Sequence, residues 1–123
     1  MIQTQELRLG NILLHEGIEK KVESIYLDGD ITFGTIDGFN FPKLEDCEPV
    51  PITPERLVKL GFRESFDYFD TFILDSCIVE KAQKPDIYYF RLRGLNQKIL
   101  YTKPIKYIHQ LQNIYFALTD KEL

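Results

Sequence analysis

Residues that carry chemistry are scarce in this sequence. Among 123 residues there are two cysteines, two histidines, one methionine and no tryptophan. Cys47 and Cys77 lie far apart and fit no CxxC or Cys/His zinc spacing. They read as free thiols packing like small hydrophobes. No GxGxxG or GxxxxGK[ST] loop occurs, so no nucleotide fold is indicated. Asp28-Gly29-Asp30 superficially resembles the start of a calcium loop. The later ligands and closing glutamate are missing, and a hairpin turn explains the segment. No metal and no cofactor are therefore expected. No apolar run approaches the roughly 18 residues of a membrane helix, so no membrane partner is expected. The N-terminus lacks the basic flank and apolar stretch of a secretory leader, and a cytoplasmic location is expected.

What is present is an ordinary globular composition rich in Tyr and Phe, long enough to bury a core without staples. The net charge of −4 is unevenly spread. Residues 1–51 hold 4 basic and 10 acidic side chains, whereas residues 52–123 hold 11 and 9. The two halves can attract each other or face different partners.

"LRLGNILLHEGIEKKVESIYLDGDITFGTIDGFNF" reads as β throughout, with Glu16-Gly17 and Asp28-Gly29 between short apolar runs. Gly34 and Gly38 are bends or bulges. The opening Leu-Arg-Leu-Gly-Asn resembles the first strand of SH3-like barrels, and a small curled sheet or barrel is expected over residues 1–51. "LEDCEP" reads as a solvated edge strand. Pro49 and Pro51 then hold an extended connector. Thr53 as N-cap, Pro54 at the first helical position and Gly61 as stop define a short helix, with Leu57, Val58 and Leu60 available for a core.

Beyond it, Tyr68–Leu74, Cys77–Val79 and a hairpin about Gly94-Leu95-Asn96 predict a small antiparallel sheet. Tyr88, Phe90 and Leu92 alternate with Tyr89, Arg91 and Arg93, one set facing the core. Pro104 opens a final helix capped by Thr102 or Lys103. On a helical projection Tyr107, Ile108, Leu111, Ile114, Tyr115 and Leu118 fill one arc of about 120°. His109, Gln112 and Phe116 line the opposite, solvated side. The fold class is α+β, with an SH3-like β unit at 1–51 and an α+β unit at 52–123, cooperating as one fold.

Pairing Cys47 or Cys77 with His15 or His109 as nucleophile and base finds no support in spacing, so an enzyme is not expected. Two binding readings remain. His109, Gln112, Asn113 and Phe116 can form a protein-binding stripe on the last helix, unless Phe116 packs on the N-terminal β unit. Alternatively, Arg91, Arg93, Lys98, Lys106 and Tyr89 can bind single-stranded nucleic acid, since residues 87–119 contain no acid. Cations among aromatic platforms suit that task, although the net negative charge opposes it. The oligomeric state is open.

The run Tyr107-Ile108-His109-Gln110-Leu111-Gln112-Asn113-Ile114-Tyr115-Phe116-Ala117-Leu118-Thr119 resembles the closing motif of a family of small uncharacterised proteins from Bacteroides-type bacteria and their phages or mobile elements. "ELRLGN" (Glu6 to Asn11) and "LEDCEPVPITPERLVKLGF" (Leu44 to Phe62) resemble that family's opening and middle. Asp120-Lys121 departs from the family's Gly-Glu and removes a glycine stop. The resemblance implies a two-part α+β protein of phage or mobile-element type. It carries no catalytic role, and an accessory binding function follows by analogy.

Overall fold

The computed structural model describes residues 2, 4–26, 31–32, 44–66, 69–83, 87–93, 99–101 and 104–123. The protein is α+β, with antiparallel pairing between its described strands. It divides into two compact units, residues 1–50 with 107–114 and residues 51–106 with 115–123. The proline-rich connector marks the first boundary. The second falls between 106 and 107, just before the last helix, and the third between 114 and 115, inside that helix, where no local signal marks it.

In the first unit, β1 (Ile12–His15) turns into β2 (Ile18–Lys21), with Ile12 opposite Lys21 and His15 opposite Ile18. Glu16 at φ 53° and Gly17 at φ 76° supply the left-handed pair that a two-residue hairpin demands. β3 (Ser24–Ile25) pairs with β4 (Ile31–Thr32) in a separate ladder. The Asp28-Gly29 turn, and the strands expected from 33 to 41, lie outside the described residues. A 3-10 turn over Leu44–Asp46 leads into β5 (Cys47–Pro49), which pairs with β1 on the side away from β2 and is an edge among the described strands, so the solvated edge strand expected over "LEDCEP" is confined to its second half, and Leu44 and Cys47 are buried. The described strands of this unit form no closed barrel. Ile2, Leu7, Leu13, Val22, Ile31, Leu44 and Cys47 make its core, with Ile25 packed against it.

The second unit opens with α1 (Pro54–Lys59). Thr53 caps it, its Oγ1 accepting from the Arg56 N–H at 3.2 Å. Gly61 follows at φ 107°, a conformation that favours glycine. Leu57 is buried, whereas Val58 is exposed, contrary to its expected core role, and Leu60 is half-buried. So short a helix offers only one residue per turn to its support. A five-stranded sheet follows in the order β10-β9-β8-β7-β6. Its strands are β6 (Arg63–Glu64), β7 (Thr71–Leu74), β8 (Cys77–Lys81), β9 (Tyr88–Arg93) and β10 (Ile99–Tyr101). Register places Phe72, Val79 and Phe90 side by side on one face, and all three are buried. Tyr88 is buried with them while Tyr89 reaches solvent, so the alternation expected of β9 holds from Tyr88 to Phe90, and the side chains of Leu92 and Arg93 lie outside the described ones. The turn at 94–96 lies outside the described residues.

The last helix, α2, spans Ile108–Thr119 and starts four residues after Pro104. Backbone pairing explains the late start. Ile105 exchanges two hydrogen bonds of 2.8 Å with Tyr88, and the Lys106 carbonyl accepts from Ile52 N–H at 2.9 Å. A chain committed to these extended bonds cannot be helical there. Gln110 Oε1 instead accepts from the Tyr107 N–H at 3.2 Å, the reach-back half of a capping box. At the other end Asp120 takes φ 58° and its N–H bonds the Phe116 carbonyl at 2.8 Å. Aspartate thus fills the left-handed stop that glycine most often takes.

Candidate functional site

The polar side of α2 faces inward rather than into water. His109 is 1% exposed and Gln112 3%. Asn113 is half-buried. This corrects the expectation of a solvated stripe. The reason is visible in the hydrogen bonds. Gln112 Oε1 accepts from the Ile12 N–H at 2.9 Å and from Asn11 Nδ2 at 3.4 Å, while its Nε2 donates to the Gly10 carbonyl at 3.1 Å. Asn113 Oδ1 accepts from Asn11 Nδ2 at 2.9 Å, and Asn113 Nδ2 donates to the Glu6 carbonyl at 2.6 Å. Asn11 Oδ1 in turn accepts from the Arg8 N–H at 2.7 Å. The helix carries an amide bracket that takes up the Ile12 N–H and the Gly10 and Glu6 carbonyls, groups that the bend over residues 6–12 leaves over after its own bonds and those to Val22.

His109 closes this bracket. Its Nε2 lies 3.2 Å from Glu6 Oε2, and its ring stacks on Tyr107 with centroids 5.9 Å apart and an interplanar angle of 9°. Nδ1 is buried without a hydrogen-bond partner among the described residues. Burial pushes the His109 pKa down, and the hydrogen bond and charge of Glu6 partly oppose it. The partners that residue-type reasoning missed are Glu6, Gly10 and Asn11. They belong to the segment "ELRLGN", about a hundred residues before the helix that meets it. Phe116 is half-buried, and Leu118, expected in the core, is 42% exposed.

The basic and aromatic group is only partly assembled. Tyr89 and Arg91 share one face of β9, and the side chain of Arg93 lies outside the described ones. Arg91 is engaged by the Glu80 carboxylate on β8. Lys106 is exposed beyond the sheet strands. Lys98 lies outside the described residues.

Cys47 stands opposite His15 across β1 and β5. Burial foremost, then the Asp46 carboxylate, raises its thiol to about 11 against a smaller lowering by Lys20. A nucleophilic cysteine needs the opposite shift. His15 Nδ1 meets Lys20 Nζ at 3.1 Å. Cys77 is likewise buried and its pKa raised, mainly by burial and then by Asp75. Among the described residues no group of three or more His, Cys, Asp or Glu side chains is placed to hold a metal ion. No helix among them is long and apolar enough to cross a membrane.

One surface stands out that the sequence reading did not single out. The turn from β6 to β7 leaves Phe66 99% and Phe69 98% exposed. Its ends are tied by Ser65 N–H to the Thr71 carbonyl at 2.8 Å and by the Thr71 hydroxyl to the Phe69 carbonyl at 3.0 Å. The signal was present as "SFDYFD", an aromatic-acid alternation that is readily taken for the start of a strand. Comparison with family models, with curated proteins and with solved structures finds no match to this chain.

Proposed function

We propose that this chain is a small non-catalytic binding protein that engages a protein partner through the β6–β7 turn. The observation that carries this reading is the near-complete exposure of both Phe66 and Phe69. Scattered exposed apolar residues are normal, but paired phenylalanines on one tied turn form an anchor of the kind that dominates protein interfaces. The stripe of α2 is the weaker candidate, because His109 and Gln112 are spent on the 6–12 bend. The nucleic-acid alternative loses weight for a similar reason, since Arg91 already has a carboxylate partner in Glu80. An accessory role agrees with what the phage or mobile-element resemblance implies. We extend the proposal to a cytoplasmic location and to an SH3-like kinship of the first unit, supported by the β1–β2 hairpin with β5 on its far side.

The test is affinity capture from source cells with wild type and with Phe66→Ser/Phe69→Ser, each with and without nuclease. Wild type should retain a protein partner after nuclease treatment. The double variant should lose it with an unchanged circular dichroism spectrum. Release of the captured material by nuclease, or equal capture by the variant, would overturn the reading.

A further inference from the structure

The two rings are presented rather than merely uncovered. Besides the ties through Thr71, the Lys81 N–H donates to the Asp70 carbonyl at 2.9 Å. Asp70 itself sits at φ 52°, a left-handed conformation sparsely used outside glycine. Backbone held at Ser65 and from Phe69 to Thr71 lowers the entropy given up when the neighbouring rings are captured. Two phenylalanines offer on the order of 300–500 Å² of surface. That is a large share of the roughly 800 Å² each partner contributes to a standard interface.

Charge narrows what can take them. From Arg63 to Lys81 the sequence holds five carboxylates (Glu64, Asp67, Asp70, Asp75, Glu80) against two exposed cations at its ends, Arg63 and Lys81, and none between them. Glu64, Asp70 and Asp75 are exposed, and Glu80 is the one committed to Arg91. Phosphate groups, whether of nucleic acid or of anionic lipid, are repelled by such a hairpin. A protein pocket ringed by cations is attracted to it, both in final pairing and in the rate of encounter. Resting on the protein-binding reading above, we propose that the β6–β7 turn is an acid-flanked aromatic plug for a protein partner that offers apolar pockets rimmed by lysine or arginine.

A photoreactive p-benzoylphenylalanine installed at position 69 tests this in source cells, with the same group at Val58, also exposed, as control. Position 69 should give one protein adduct absent at position 58, and the cross-linked peptide should contain or adjoin Lys or Arg. With that partner purified, Phe66→Ala and Phe69→Ala should each weaken binding by at least about 30-fold. Glu64→Gln/Asp70→Asn should slow association about tenfold at low salt and flatten its salt dependence. An acidic or neutral cross-linked peptide, an unchanged salt response, or an adduct to a second copy of the chain or to lipid overturns the cation-rimmed pocket. Absence of any adduct specific to position 69 overturns the protein-binding reading itself.

Discussion

Replacing Gln112 by alanine removes the centre of the amide bracket while leaving the apolar face of α2 intact. Three hydrogen bonds go, to the Ile12 N–H, the Asn11 amide and the Gly10 carbonyl. The loss that matters is what remains behind. An orphaned buried backbone donor or acceptor costs about 1–3 kcal/mol, more than the net worth of a formed bond. Ile12 and Gly10 are each half-buried, so water entering the vacated space offsets part of this and the lower figure applies to each. Lost packing of the side chain's methylenes contributes about 1 kcal/mol more. The sum is about 3 kcal/mol. With an unfolding entropy of roughly 2.1 cal/mol/K per residue, 123 residues give about 4 °C per kcal/mol, or a fall of about 12 °C in Tm. Urea unfolding followed by circular dichroism measures the total. Hydrogen exchange at the Ile12 amide isolates the local part, and its protection should fall more than that of Leu57, whose amide bonds the Thr53 carbonyl. A solvated surface glutamine would cost less than about 0.5 kcal/mol. A change that small, with Ile12 still protected, would refute the bracket.

Two further outcomes follow from the same geometry. His109 is held below its ordinary 6.5 chiefly by burial, against the opposing hydrogen bond and charge of Glu6. The folded chain binds this proton less well than the unfolded chain, so the stability His109 confers is complete above pH 6.5 and is lost as pH falls below it. The urea midpoint should drop between pH 7.5 and pH 5.5, and His109→Gln should flatten that portion of the profile. Asp120→Gly places glycine at the left-handed position of φ 58° that ends α2. It should raise stability by about 0.5 kcal/mol in thermal melts, and a loss instead would mean that the aspartate side chain has a role of its own.

The α1 boundaries were legible because each rests on a residue with a single physical meaning. Thr53 offers a capping oxygen, Pro54 needs no N–H donor, and Gly61 tolerates φ 107°. The β1–β2 hairpin was legible for the same reason at Glu16-Gly17. The start of α2 was not. Pro104 fits a first helical turn, but the pairing of Ile105 with Tyr88 takes the backbone first, and that partner is supplied by tertiary structure. Local preference yields where a neighbouring strand provides the bonds.

The misreading of α2 has a more general cause. Helical periodicity treats polarity as a proxy for water, and on an isolated helix packed on one side it is one. A helix also enclosed on its second side must bring polar atoms to any backbone that side leaves unsatisfied. Glutamine and asparagine are suited to this, since each offers donor and acceptor in one amide. Their clustering with His109 on a single stripe is what an irregular bend such as residues 6–12 requires. Nothing in either segment alone pairs the two sides. The β6–β7 turn shows the converse: "SFDYFD" has the apolar content of a core strand, yet Phe66 and Phe69 are exposed beside left-handed Asp70 and the tie from Thr71 to the Phe69 carbonyl. Hydrophobicity there marks a surface, and polarity on α2 marks an interior. In both places the deciding quantity is which backbone groups need partners, and on α2 those partners are the Ile12 N–H and the Gly10 and Glu6 carbonyls.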